Sequence, residues 1–214
     1  MVTQPRRGRP ATASYEDVLA LARRLFLAGR RLDLTVLARE LGLGRATIYR
    51  WFGSRDRLLG EVIARELEAL VDAHRRGVRR RGAEGLLEVF DRINRSLSRA
   101  MALRRLLEDE RDGALRLLTS SGGPVQPRAT AAIRRLIEAE VAAGRYDPPA
   151  EPAILAYAIV RLAEAFLYND AAVGIRGDHE RLRQVEAALL GVAPAPVTAR
   201  RSPARPSRRS AARG

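Results

Sequence analysis

Apolar residues recur every three to four positions through most of the chain, and no segment sustains a period of two. That is the pattern of amphipathic helices, and it predicts an all-α fold. Ser14, with Asp17 three residues on, forms a variant capping box. It opens a first helix with the stripe Val18, Leu21, Ala22, Leu25 and Phe26, which Gly29 stops. Asp33 caps a second helix running to about Leu41, and a third runs from about Arg45 to Trp51. Gly53-Ser54 breaks and recaps the chain, and a fourth helix carries Leu58, Leu59, Val62, Ile63, Leu67, Leu70 and Val71. Five more are expected at about Glu84–Ala100, Ala102–Leu118, Arg128–Ala143, Pro152–Asp170 and His179–Leu190. A loop is expected over Thr119–Pro127 and a turn at Asp147-Pro148-Pro149. The expectation is about nine helices without an internal repeat.

The second and third helices have the spacing of a helix-turn-helix. Ala38 is small where the two helices cross. Four residues on, Gly42 supplies the left-handed turn. Leu37, Leu41, Leu43, Ile48 and Trp51 are spaced to close a small core. The second helix of such a unit enters the major groove of double-stranded DNA. Arg45, Ala46, Thr47, Tyr49 and Arg50 are its candidate reading residues. Arginine can grip guanine O6 and N7, Ala46 and the Thr47 methyl can touch a thymine methyl, and Tyr49 can donate to a phosphate. Thr35, at the start of the second helix, and Arg55, at the start of the fourth, are placed for the phosphate backbone.

Charge supports this reading. The chain has 214 residues and a net charge of +14, and every basic residue is arginine. Residues 1–13 carry +3, 14–60 carry +4, 61–192 only +1, and 193–214 carry +6. A basic arm beside a small basic domain is the footprint of a nucleic-acid binder. The uniform choice of arginine has a second origin in genomic composition, which does not explain the sign. The expected organisation is a disordered arm over 1–13, a DNA-binding domain over 14–60, an effector-binding and dimerising domain over 61–192, and a disordered Pro/Ala/Arg/Ser-rich tail over 193–214.

With no cysteine and only His74 and His179, the sequence offers no disulfide, thiol nucleophile or histidine metal cluster. Both histidines are expected at the surface. No metal, cofactor or catalytic residue is expected: there is no Walker sequence, nucleophile elbow or His-Glu metal motif. No apolar run is long enough to span a membrane and no secretory signal is visible, so a cytoplasmic location is expected.

Leu37-Ala38, Gly42-Leu43, Thr47-Ile48-Tyr49-Arg50-Trp51-Phe52-Gly53-Ser54-Arg55 and Leu58 together resemble the TetR family of bacterial transcriptional regulators. The resemblance implies three DNA-reading helices, a linking fourth helix, and a ligand-binding, dimerising remainder. Arg55 replaces the family's usual lysine. Gly44 stands at the usual Ser/Thr cap of the recognition helix, a change costing only a few tenths of a kcal/mol. Trp51, a further candidate DNA contact, stands where histidine or tyrosine is common. The segments Leu106–Thr119, Val125–Arg128 and Leu155–Tyr168 resemble the QsdR-type subgroup. That likeness implies repression relieved by a lactone-like effector.

The eighth predicted helix is apolar nearly all round, so one face is expected in this chain's core and another on a partner chain. With the ninth it would form a four-helix homodimer interface. Arg161 and Glu164 interrupt its apolar surface, either as an ion pair or as polar anchors in an effector pocket. Tyr157, Tyr168 and Asn94 are further pocket candidates. These features imply a homodimeric, ligand-responsive repressor. An activator of the same fold, an enzyme in the C-terminal helices and a nonspecific architectural DNA protein are the alternatives.

Overall fold

The computed structural model describes residues 13–169 and 177–193. Most of the basic arm, nearly all of the tail and the predicted helix end at Asp170 lie outside them. The described residues form ten α-helices and one π-helical turn, with no strand among them.

The first three helices are α1 (Tyr15–Leu27), α2 (Leu34–Glu40) and α3 (Arg45–Phe52). Ser14 and Asp17 close the reciprocal capping box. The Asp33 carboxylate accepts from the Thr35 and Val36 amides at the head of α2. Gly42 turns the chain at φ 63°, in the left-handed region. A Cβ there would meet nothing within 4 Å, so conformation and not space calls for glycine. Gly44 caps α3 without a side-chain bond.

α4 (Arg55–Gly77) is the longest helix among the described residues, at 23 residues, and is capped by Ser54. The body follows as α5 (Gly82–Arg99), α6 (Met101–Asp109), α7 (Arg111–Thr119), α8 (Val125–Ala142), α9 (Pro152–Glu164), the π turn Ala165–Asn169 and α10 (His179–Leu189).

Two elements differ from the sequence expectation. The sixth predicted helix is two, α6 and α7, broken at Glu110, whose φ −137° and ψ 48° leave the helical region. Leu103, Leu107, Ala114 and Leu118 stay buried on both sides, so the apolar stripe runs through the break, and Gly113 just beyond it is the only helix-weakening residue beside it. α8 starts at Val125, ahead of Pro127. Proline is tolerated in a first turn because amides there lack an intrahelical acceptor.

Two apolar clusters hold the chain together. The first joins α1, α2 and α3 to the near half of α4 and to α6, α7 and the start of α8. The second gathers the far half of α4 with α5, α8, α9 and α10. α4 belongs to both, through Leu58–Ala64 in one and Val71 in the other, and Leu97 packs against each. At Gly60 a Cβ would sit 2.7 Å from Pro124 Cγ and 3.1 Å from Leu117 Cδ1. Glycine therefore lets α4 lie close against the α7–α8 turn. Arg128 of α8 reaches back to α4, gripping Glu68 and, at 2.8 Å, Glu61.

Candidate functional site: a DNA-reading head and an acidic apolar cavity

α3 buries Ile48 and Phe52 against the head's core and turns Arg45, Ala46, Tyr49 and Arg50 to solvent, with Thr47 half-buried. Five of the expected reading residues thus share one short helix, and Thr35 is exposed at the start of α2. Trp51 is half-buried. Its ring lies edge-on to Tyr15, centroids 6.1 Å apart, and to Phe52, while Tyr15 stacks on Phe52 at 4.5 Å. It knits α3 to α1.

Arg55 faces the body. Its Nε donates to the Leu32 carbonyl at 3.1 Å, and Nη1 and Nη2 donate to the two Glu110 carboxylate oxygens, each at 2.8 Å. Arg31 adds a looser contact to Glu110 at 3.7 Å. The break between α6 and α7 is therefore tied to the first turn of α4 and to the α1–α2 connection.

In the body, α4, α5, α7, α8, α9, the π turn and α10 surround an apolar cavity. Its cavity volume is about 70 Å³, or about 590 Å³ when all unfilled space out to the open end is counted. Leu67 and Val71 of α4, Phe90 of α5 and Ile133 of α8 contribute to its walls. The polar lining comes from Asn94, Glu164, Tyr168 and Glu186. Three of the five effector candidates from sequence, Asn94, Glu164 and Tyr168, meet here. Tyr157 and Arg161 do not line it.

Glu164 is buried, with its carboxyl pushed up to about 7 by desolvation, against the opposing pull of Arg161. Arg161 Nη1 donates to Glu164 Oε2 and to the Thr119 carbonyl, both at 2.8 Å. The second bond satisfies a carbonyl at the end of α7 that has no partner within its helix. The Arg161 guanidinium also lies over the Tyr157 ring, 5.9 Å from its centroid. Burial raises the Tyr168 hydroxyl above its ordinary range.

Glu186 is the residue that sequence reasoning missed. It is fully buried, accepts from Asn94 Nδ2 at 2.9 Å through Oε1, and has no hydrogen-bond partner at Oε2. Desolvation pushes its carboxyl up to about 7. Its position was a signal: it lies four residues after Leu182 and four before Leu190, both buried. A second buried acid, Glu140, is structural. Arg75 at 2.6 Å, Arg145 at 2.8 Å and the Gly82 amide at 2.8 Å all donate to it, and these bonds hold its carboxyl below the usual range. The histidines are half-buried instead of free at the surface, and His74 Nε2 lies 2.8 Å from Ser96 Oγ. Among the described residues no cluster suits a metal ion, and no helix is long and apolar enough to cross a membrane.

On the outer face of α9 and α10, Ile154, Tyr157 and Val185 are exposed, at 61%, 51% and 41%. α9 is thus apolar on both sides, with Leu155, Ala156, Ile159 and Val160 buried inward.

A helix-turn-helix head carried on a long helix, above an all-helical body with an apolar cavity, defines a DNA-binding transcriptional regulator. Residues 81–191 match the family model of the tetracyclin repressor-like C-terminal domain, and the chain belongs to the TetR family. Among solved structures it is similar to the transcriptional repressor QsdR of R. erythropolis. The identity is 30% and the TM-score 0.76, over 84% of this chain and 95% of that one. The TetR family repressor AlkX of Dietzia sp. strain DQ12-45-1b, implicated in biodegradation of n-alkanes, shares the fold. It is 24% identical, with a TM-score of 0.56, over 84% of this chain and 99% of that one. So does a TetR regulator of Rhodococcus sp. RHA1, at 19% and 0.52, over 80% and 91%. The sequence matches none of the curated proteins. Regulators of this family bind DNA and small-molecule effectors, and they usually dimerise.

Proposed function

We propose that the chain is a homodimeric repressor that leaves a pseudo-palindromic operator when a small, lactone-like effector enters the cavity. The observation that carries this reading is the course of α4. Leu67 and Val71 line the cavity, while Leu58, Leu59 and Val62 of the same helix are packed in the core of the reading head. A ligand that favours one position of α4 over another therefore biases where α3 points. Only such unequal affinity for two states can shift the equilibrium. The lactone-like class rests on the resemblance to the QsdR-type subgroup.

Residues 14–60 act as the head and 61–192 as the body. Arg45, Ala46, Thr47, Tyr49 and Arg50 face the major groove, and Thr35 lies beside the backbone. Ile154, Tyr157 and Val185 form the interface, giving two heads about one DNA turn apart. A mobility shift on the DNA upstream of the chain's own gene, with and without γ-decalactone, tests this reading. Binding to a palindrome that the lactone releases is the expected result. Equal affinity for operator and random duplex would overturn it.

A further inference from the structure

The charged groups lining the cavity are of one kind. Both carboxyl-bearing side chains that line it, Glu164 and Glu186, are buried, and no arginine or histidine lines it among the described residues. In a chain where arginine is so abundant, the acids here are sorted from the bases. Arg161 engages Glu164 from outside the cavity, which leaves Glu186 as the acid without a cationic partner.

The state of Glu186 follows from its surroundings. An ionised carboxylate taken wholly out of water is strongly disfavoured without a cation or several donors. Glu186 has one amide donor, Asn94, at Oε1, and desolvation raises its carboxyl to about 7. Asp91 on α5 pushes in the same direction, and Arg183 on α10 opposes it without a hydrogen bond. The neutral acid carries its proton on Oε2, the oxygen that Asn94 does not occupy. That leaves a buried O–H donor with no acceptor in the protein. A buried polar atom left unpaired is a cost that an incoming acceptor removes.

We propose that the cavity selects a neutral amphiphile whose carbonyl oxygen accepts a hydrogen bond from the Glu186 carboxyl group, and that its apolar walls, with no lining cation to offset desolvation, refuse carboxylate anions. The proposal rests on the reading of this cavity as the effector site and adds the head-group chemistry it recognises. The apolar walls take the alkyl portion. Glu186 stands on α10 and its partner Asn94 on α5, so the bound carbonyl extends a hydrogen-bonded pair that ties the helix bearing Val185 to one packed on α4. A carboxylate in the same place would lose its hydration and meet no lining cation to replace it.

Calorimetric titration of the full chain at pH 6 with γ-decalactone, decanoate and decylamine tests this. The lactone is expected to bind at least about tenfold more tightly than either ion, roughly the worth of one good hydrogen bond. Glu186→Gln keeps a donor and is expected to retain lactone binding within about threefold, while Glu186→Leu loses about tenfold or more. Circular dichroism checks that both variants fold. Tighter binding of decanoate or decylamine would overturn the head-group assignment and leave the effector site standing. A cavity-filling variant, Ala129→Trp, distinguishes the other failure. If the lactone bound it as tightly as the parent chain, the cavity would not be the effector site and both readings would fall. Failure of all three probes to bind the parent chain would likewise overturn both.

Discussion

Arg55 and Glu110 meet in a two-pronged bridge, both N···O distances 2.8 Å, that joins the first turn of α4 to the break between α6 and α7. The two residues are 55 positions apart in sequence, and both are half-buried. The bidentate geometry is the strong form of this interaction. Alanine at either position, and at both, should show coupling of about 0.5–3 kcal/mol in urea unfolding. Glu110→Ala should also change how much effector is needed to release DNA. The salt dependence of DNA binding should be the same for Arg55→Ala and the parent chain, because the guanidinium is held by the body. A slope smaller by about 0.9 would give Arg55 the phosphate contact expected from sequence.

Arg45 is exposed at the N-terminal end of α3, the helix proposed to enter the major groove. Arg45→Ala should weaken operator binding by about 1–3 kcal/mol and relax sequence preference. Competition binding with single-base operator variants measures both. Unchanged preference would remove Arg45 from the reading set.

Tyr157 has about half its surface open beside Ile154 on the outer face of α9. Tyr157→Glu should leave the fold of the single chain within about 0.5 kcal/mol of the parent. It should weaken self-association by tenfold or more. Sedimentation over a concentration series separates the two effects. A variant that dimerises like the parent would place the interface elsewhere.

The raised carboxyl of Glu186 makes stability depend on pH with a definite sign. Below about pH 4.5 the group is protonated in both folded and unfolded chains and contributes no difference. Between about 4.5 and about 7 the unfolded chain has released a proton that the folded chain retains, so stability falls as pH rises. The total is on the order of 3 kcal/mol, and Glu164 acts in the same direction. Glu140, held low, acts below this window, losing its contribution as acid protonates it. Urea midpoints from pH 5 to 8 should therefore decline less steeply in Glu186→Gln. Parallel profiles for the two proteins would show that Glu186 is ionised when folded.

The reading head was legible because its determinants are local. The Asp33 cap, the small Ala38 and the φ 63° turn at Gly42 each act within a few residues of where they stand. The break at Glu110 was hidden because its one local sign, Gly113 in the first turn of α7, is weak, and the buried stripe from Leu103 to Leu118 keeps helical phase across it. Its tie is to Arg55, far away in sequence. Glu186 was hidden for the opposite reason: glutamate on a helix reads as a solvated residue even in phase with Leu182 and Leu190, and the packing of α10 on α5 is what buries it. Tyr157 was assigned to the pocket because α9 is apolar all round, and periodicity alone does not say which side faces inward.

Arg161 touches three things at once: the open ring of Tyr157, the Glu164 carboxyl in the cavity wall, and the Thr119 carbonyl at the end of α7. Such a shared side chain acts as a common currency of position. Under the proposed interface and effector site, a partner pressing on Tyr157 or a ligand displacing Glu164 would move the same guanidinium, and with it the bond to the end of α7. On that proposal, subunit pairing and ligand occupancy would not be separate inputs but two handles on one lever.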